Sequence, residues 1–399
     1  MKDKKLSVST VIVLIALSVL VTFQLTYLRV NNKYQRALNE IRDTQLLYDK
    51  LASVDAAYRD SFIGEIDETK LIDSMLKGYV VGTGDKYGAY FTKDEFTELL
   101  KDNNAEFVGI GVSVLYDSNE KAIRVVNVMP ASPALEAGIK PGDLIISVDG
   151  FSVSDIGYSA AMGKLRGEAG TKACFTVISG NTVHDYELER RKITEYTVFE
   201  RIHSQDSSIG IVQVLEFDDG TPAQFKAAVD GLLEKGVEKI VFDVRNNSGG
   251  SIDSISEILD YLLPEGVIIR TYDADGKEEI ISSDEAEIDC KMAVLVNRNT
   301  ASAAELFAAA LRDYEKAFLV GETTYGKGTV QTIRQLYDGS AISVSDRLYA
   351  PPVSENYEGK GLEPDIRVEQ SEETQNTAVF LLTDDNDAQL AAAVREISR

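Results

Sequence analysis

Between residues 191 and 370 the sequence alternates between short apolar runs and helical segments, and this alternation restricts the fold more than any other feature. The runs SIGIVQVLEF, EKIVFDVRNN, KMAVLVN and AFLVGE are rich in apolar and β-branched residues, as in strands buried on both faces of a parallel sheet. Helical segments separate them: TPAQFKAAVDGLLEKG, SGGSIDSISEILDYLL and TASAAELFAAALRD. The order predicts an α/β core with mostly parallel strands. From Gly328 onward two further strands are predicted, at TVQTIRQL and SAISVSDRLYA.

The segment from residue 96 to residue 190 has a different pattern, with short alternating strands and two small helices. Strands are predicted at EFVGIGVSVLY, IRVVNVM, TKACFTVISG and TVHDYELER, the last two joined at Gly180-Asn181. SPALEAG and SAAMGKLRGEAG predict the helices, and Gly138 marks the end of the first. This order predicts a compact, small β-barrel-like domain with two helices.

The N-terminus contains 23 consecutive uncharged residues, from Leu6 to Leu28. That length suits a helix that spans a bilayer, and the lysines at positions 2, 4 and 5 favour a cytoplasmic N-terminus. A cleaved signal peptide is the alternative, but no A-x-A-like site follows the run. We therefore expect a single-pass membrane anchor with the rest of the chain extracytoplasmic.

The patterns together divide the chain into five predicted segments. These are the anchor (1–30), an N-terminal helical region (31–95), the small domain (96–190), the α/β core (191–375) and a C-terminal helical tail (376–399). Helices like those of the second segment pair with other chains about as often as they pack within one, and we expect a homodimer.

Charge and composition exclude several classes of partner. The formal net charge is −24, so a phosphate backbone would be repelled and nucleic acid is not an expected partner. The chain has two cysteines and two histidines, without the spacing of a metal site. We expect neither a metal nor an organic cofactor.

The stretch GETTYGKGTV, from Gly321 to Val330, resembles a phosphate-binding loop but lacks its context. Such a loop ends in G-K-[ST] and opens a helix, whereas Gly328 follows Lys327 here and the next residues alternate as in a strand. Nucleotide binding is therefore a weak hypothesis, and Lys327 needs another explanation.

Ser302 offers one, because it lies at the end of the predicted strand KMAVLVN and the start of an Ala-rich helix. Backbone N–H groups at a helix N-terminus favour developing negative charge, although a plain capping serine is the ordinary interpretation. The ends of neighbouring parallel strands meet, which could bring Lys327 to Ser302. A lysine shielded from water has a lowered pKa and can accept the proton of a serine hydroxyl.

A third feature is the glycine turn in FDVRNNSGGSID, between a predicted strand and a helix. Glycine lets backbone N–H groups point at a ligand, as an oxyanion hole requires, although a tight turn without a ligand has the same pattern.

With these motifs in order, the chain resembles the carboxyl-terminal processing peptidases, also called tail-specific proteases. The matching stretches are DVRNNSGG, NRNTASAAELFAAALRD, VGETTYGKGTVQT and GKGLEPDI, with GIGV and SPALEAGIKPGDLIISVDG for an inserted PDZ domain. The likeness covers about residues 75 to 370. It implies a secreted or membrane-anchored serine endopeptidase that cleaves protein substrates without a cofactor.

The resemblance also implies roles for individual residues. Ser302 matches the nucleophile, Lys327 the general base and Gln331 the glutamine that orients the lysine. The residues that match the oxyanion hole are Gly249 or Gly250 together with the N–H of Ala303.

In the PDZ domain, the loop of Gly109, Ile110, Gly111 and Val112 matches the loop that receives a peptide's terminal carboxylate, with the peptide added as a strand. Arg166 matches an arginine that couples PDZ occupancy to the active site, although a surface residue on a short helix is the alternative.

The chain also departs from the family pattern. The loop YVVGTGDKYGAYFT lacks the Pro, His and Ser of the family's D-P-H-S-x-Y-F-[ST], which we expect to leave catalysis unaffected. We expect His184 and His203 to be ordinary surface residues. The main rival to a peptidase is a PDZ adaptor with a degenerate core, and the intact Ser/Lys/Gln set argues against it.

Overall fold

The computed structural model describes residues 8–102, 106–194, 196–284, 287–371, 374, 377 and 379–399. The chain divides into two compact units, Met1–Ser74 and Met75–Arg399. Two helices cover the N-terminal part, α1 (Val8–Ser61) and α2 (Glu68–Gly82). Among the described residues no helix is both long and apolar enough to cross a membrane, so they do not support the anchor predicted over Leu6 to Leu28. Residues 6 and 7, and the lysines that precede them, lie outside the described residues.

The small domain follows a short connection made of one strand and one helix, β1 (Ala89–Phe91) and α3 (Lys93–Asp102). Thr92 begins α3 with a reciprocal cap, because its hydroxyl accepts the N–H of Glu95 while the Glu95 carboxylate accepts the N–H of Thr92.

The small domain follows the predicted order with two differences: EFVGIGVSVLY forms two strands in different sheets, and its described residues form three helices where two were predicted. Its strands are β2 (Glu106–Gly109), β3 (Val112–Asp117), β4 (Ala122–Val128), β5 (Leu144–Val148), β6 (Phe151–Ser152), β7 (Lys172–Ser179), β8 (Thr182–Glu189) and β9 (Arg191–Thr194). Its helices are α4 (Pro133–Glu136), α5 (Val153–Ile156) and α6 (Tyr158–Leu165). Six strands form an antiparallel sheet, five in the order β3-β4-β5-β7-β8 and β6 paired with β5, which leaves β3 at one edge.

The α/β core is built on a second sheet. Its strands are β10 (Val198–Ile202), β11 (Ile209–Val214), β12 (Lys239–Asp243), β15 (Lys291–Val296), β16 (Ala317–Gly321) and β19 (Ile366–Arg367), in that spatial order. All neighbours after β11 pair in parallel, while β10 is antiparallel. The connecting helices are α7 (Thr221–Glu234), α8 (Ile252–Leu262) and α9 (Ala303–Asp313). The prediction of an α/β core with mostly parallel strands is confirmed.

A third sheet lies beside this core and was only half predicted. It contains β13 (Gly266–Asp273), β14 (Glu278–Ser283), β17 (Thr329–Gln335) and β18 (Ala341–Ala350), together with β1. The hairpin of β13 and β14 was not predicted, although the turn DADGK between two alternating runs is a hairpin signal.

The core continues into the C-terminal segment. After a short 3₁₀ turn (Val379–Leu381), helix α10 (Ala388–Ile397) packs against β12, β15 and β16 on the face opposite α7–α9. Asp387 caps α10 and also forms a buried ion pair with Arg245, whose second partner is Asp243. The predicted helical tail is therefore an integral part of the core.

Candidate active site

Ser302 stands at the turn between β15 and α9, in a backbone conformation that side chains rarely adopt. Its φ of 57° and ψ of −124° belong to the region that favours glycine. The Ser302 N–H donates to the carboxylate of Glu305 at 2.9 Å. The turn leaves the serine side chain partly exposed at the start of a helix whose next residues are buried.

Lys327 follows β16 by six residues and is half-buried. Burial lowers the pKa of its ammonium group, while the carboxylates of Glu358 and Glu305 act in the opposite direction. The strand β17 that follows Lys327 confirms that this loop does not open a helix, as a phosphate-binding loop would.

A single buried carboxylate connects the backbones of Ser302 and Lys327. Oε2 of Glu305 accepts the N–H of Ser302 at 2.9 Å and the N–H of Lys327 at 2.8 Å. Oε1 accepts the N–H of Gly326 at 2.7 Å and the hydroxyl of Thr324. Burial raises the pKa of Glu305, but the four donors stabilise the anion.

Two buried tyrosines bind the same two residues from their carbonyl side. The Tyr349 hydroxyl donates to the carbonyl of Lys327, and the Tyr357 hydroxyl donates to the carbonyl of Ser302 at 3.4 Å. Their rings meet edge to face with centroids 5.9 Å apart. Serine and lysine are thus fixed at both their N–H and their C=O groups.

Gln331 lies on β17 and faces the same cavity as Ser302 and Lys327. Its side-chain nitrogen donates to the Thr329 hydroxyl at 3.0 Å and to the Ser345 hydroxyl at 3.2 Å. These bonds fix the orientation of the Gln331 carboxamide on β17.

The glycine turn after β12 approaches Ser302 closely. A Cβ on Gly249 would lie 2.6 Å from the Ser302 Cβ and 2.9 Å from the Ala303 nitrogen, so only glycine fits. The Gly249 N–H donates to the side-chain oxygen of Asn247 at 2.8 Å, so it is not available to stabilise an oxyanion. Gly250 and Ala303 both line the cavity, and Ala303 is the first residue of α9, where N–H groups have no acceptor within the helix.

The cavity has a volume of about 830 Å³. Besides the residues above, its wall includes four apolar side chains: Ile252, Ile280, Ile281 and Val330. Neither histidine lines it: His184 is exposed, whereas His203 is buried, contrary to the prediction that both are surface residues.

In the small domain, the predicted carboxylate loop separates β2 from the edge strand β3. The Ile110 carbonyl accepts the N–H of Ala134 at 2.9 Å, and the Gly111 carbonyl accepts the N–H of Met129 at 2.9 Å. Gly111 has a φ of 83° and no room for a side chain next to Ser132. The loop is held by these contacts beside the free edge of β3, which begins at Val112.

Arg166 ends α6 and is exposed, with no side-chain hydrogen bond or ion pair among the described residues. A different arginine fastens this helix. Arg190 is buried and donates to the carbonyls of Lys164, Leu165 and Lys172. Arg190 cannot be identified from the sequence, because nothing in the pattern TVHDYELER separates it from an exposed strand residue.

The loop that departs from the family pattern, a departure we expect to leave catalysis unaffected, lies against Lys327. Nζ of Lys327 lies 4.8 Å from the centroid of the Tyr87 ring. Asp85 accepts two hydrogen bonds from Ser345, the same residue that Gln331 contacts.

Comparisons with known proteins agree with the motif order. The sequence profile of peptidase family S41 matches residues 208–368, and that of the PDZ domain matches residues 98–178. The chain is 31% identical over 325 residues to the carboxy-terminal processing protease CtpA of Bacillus subtilis, covering 81% of this chain and 69% of that protein.

Two further relatives extend the comparison. A probable CtpA-like serine protease of Staphylococcus saprophyticus is 32% identical over 329 residues, covering 81% of this chain and 66% of that protein. The chain thus spans about two thirds of the length of these relatives. The solved structure of a candidate S41 protease from Bacteroides fragilis shares the fold, with a TM-score of 0.57 and 18% identity over 86% of this chain and 94% of that one.

Proposed function

Because the chain belongs to peptidase family S41 and carries a PDZ domain, we propose that it is a serine endopeptidase with a Ser302–Lys327 dyad. One observation carries this proposal: the N–H groups of both residues bind one carboxylate, Glu305, and both residues line one cavity. A serine in a strained turn beside a half-buried lysine of lowered pKa has the chemistry of a nucleophile and its base.

The reaction follows from these positions. Oγ of Ser302 attacks the carbonyl carbon of the peptide bond while its proton passes to neutral Nζ of Lys327. The negative charge on the carbonyl oxygen is stabilised by the N–H groups of Gly250 and Ala303. Lys327 then gives the proton to the leaving amine, and water hydrolyses the acyl-enzyme with the same lysine as base. Gln331 orients the lysine from β17.

The PDZ domain is proposed to bind the carboxyl terminus of the protein substrate. The loop from Gly109 to Val112 would receive the terminal carboxylate, and the peptide would pair with the free edge of β3. Tyr116 of β3 and Tyr158 of α6 lie 6.0 Å apart by ring centroid, so the start of α6 lies beside this edge. Amidation of the peptide's carboxyl terminus should weaken binding and cleavage together.

Arg166 is proposed to couple PDZ occupancy to cleavage, because it ends α6, the helix that begins beside β3. If stimulation of cleavage by a C-terminal peptide is the same in Arg166→Ala as in the unchanged protein, this coupling is wrong.

The placement of the protein in the cell is a proposal from the sequence. The uncharged run from Leu6 to Leu28 with its preceding lysines favours a membrane anchor and an extracytoplasmic peptidase. A homodimer through the N-terminal helices is proposed on the same basis.

The decisive experiment compares cleavage and peptide binding in two variants. Ser302→Ala should abolish cleavage of a protein substrate while C-terminal peptides still bind. Ser248→Ala is the matched control, because Ser248 lines the same cavity outside the strained turn. Persistent cleavage by Ser302→Ala would rule out the dyad. Absence of cleavage in the unchanged protein, with peptide binding retained, would favour the adaptor.

A further inference from the structure

The loop of residues 85–88, with sequence D-K-Y-G, is fastened to the peptidase core by Asp85. The Asp85 carboxylate accepts the N–H and the hydroxyl of Ser345, both at 2.8 Å, and the N–H of Tyr87 at 3.0 Å. A Cβ on Gly88 would lie 2.9 Å from this carboxylate, so glycine lets the turn close. The next three residues form β1, which pairs with residues 341–343 of β18. The loop is thus held at both ends.

This anchoring places the Tyr87 ring against the candidate general base. Nζ of Lys327 lies 4.8 Å from the ring centroid, within the range of a cation–π interaction. Both side chains are half-buried, so water screens the contact less than at the surface. The loop lies outside the two segments matched by family profiles, residues 98–178 and 208–368.

Several charged and titratable groups surround the lysine besides Tyr87. Glu305 faces it from α9 and Glu358 from the segment after β18, and both carboxylates favour the ammonium form. Tyr349 binds the lysine's own carbonyl. Tyr325 contributes to the raised pKa of Tyr87. Burial and the nearby Glu358 raise the pKa of Tyr87 to about 12, so its ring stays neutral at physiological pH.

We propose that Tyr87 is a positioning residue for Lys327, holding the ammonium form against its ring face while Asp85 fixes the loop to Ser345. The proposal rests on Lys327 acting as the base in the proposed function. The ring interacts with the charged lysine more strongly than with the neutral one. Tyr87 therefore opposes the effect of burial on the lysine and sets the pH at which it becomes a base.

The same loop reaches Gln331 through a second contact. The Ser345 hydroxyl donates a hydrogen bond to Asp85 and accepts one from the side-chain nitrogen of Gln331 at 3.2 Å. The loop at residues 85–88 thus contacts the candidate base, Lys327, directly. Through Ser345 it also contacts Gln331, the residue predicted to orient that base.

The test measures the pH dependence of two rates: kcat/KM for peptide cleavage, and the modification of Ser302 by a fluorophosphonate. Tyr87→Leu removes the aromatic face but keeps the site apolar. Its acidic limb should move to lower pH by about 0.5 to 1 pH unit in both measurements. Tyr87→Phe is the matched control, because it keeps the ring and should retain the limb of the unchanged protein.

Two results would overturn the proposal. An acidic limb that is unchanged or raised in Tyr87→Leu overturns it, and so does an equal shift in Tyr87→Leu and Tyr87→Phe, which would implicate the hydroxyl. If Tyr87→Leu does not fold, Tyr87→Met makes the same removal and must show the same downward shift. Failure of the unchanged protein to cleave or to react at Ser302 would instead count against the proposed function.

Discussion

Replacing Ser302 with glycine should leave the protein more stable than replacing it with alanine, although both changes remove the nucleophile. The reason is the backbone of Ser302, with φ of 57° and ψ of −124°, where a Cβ is strained. The turn cannot relax easily, because Gly249 packs against Ser302 and the Ser302 N–H is bound to Glu305. Alanine keeps the strain, whereas glycine releases it.

The expected difference follows from two opposing contributions. A residue in such a region costs about 1–3 kcal/mol. Glycine loses more backbone freedom on folding than alanine, which costs about 0.5–1 kcal/mol. The net advantage of glycine is therefore about 1 kcal/mol, or roughly 2–4 °C in the unfolding midpoint of a domain of this size.

Thermal and urea unfolding of the two variants would measure this difference. Ala308→Gly provides the control, because Ala308 lies in the interior of α9 and glycine should there reduce stability by about 1 kcal/mol. If the unfolding midpoint of Ser302→Gly is equal to or lower than that of Ser302→Ala, the turn is not strained.

Three further predictions concern buried charges. Glu305→Gln should lower kcat by about 10- to 100-fold, because an amide cannot accept all four donors that now hold Ser302 and Lys327; a near-normal kcat would show that the carboxylate does not align the dyad. Arg245→Met should lower the free energy of unfolding by about 3–5 kcal/mol, measured with urea at pH 7, since Asp243 and Asp387 would stay buried without their cation. Burial alone would raise the pKa of Asp387, but Arg245 outweighs it and lowers the pKa, so this stabilisation is present above about pH 3.9 and lost as the pH falls through the lowered value. Asp387→Asn should flatten that acidic decline, and an unchanged decline would contradict the assignment.

The sequence was sufficient for the α/β core because its strands are buried on both faces and so appear as continuous apolar runs. The hairpin of β13 and β14 lacks such a run, because charged and polar residues interrupt both strands. Helix α10 was predicted as a tail because its packing depends on Asp387 and Arg245, which are 142 residues apart. Contacts over that separation leave no local pattern.

Site residues that lie in short local motifs could be predicted from the sequence, whereas those that bind from distant segments could not. Ser302 and Lys327 stand out because glycines and small residues surround them in short motifs. Glu305 and Tyr349 bind backbone groups of those residues. Every residue has such groups, so the sequence does not indicate which side chain will bind them. The choice between Gly249 and Gly250 likewise depended on a single bond, from the Gly249 N–H to Asn247.

The loop at residues 85–88 shows that the effect of a departure from a family pattern on catalysis cannot be inferred from an intact nucleophile motif alone. At the place of the pattern's histidine this chain has Tyr87, whose ring faces Lys327. A histidine there would titrate near neutral pH and, when charged, would disfavour the lysine's ammonium form. Tyrosine stays neutral and favours that form, because its own pKa is raised to about 12. The two residues therefore act on the base with opposite sign, and the departure should change the pH range of cleavage while leaving Ser302 and its turn as they are.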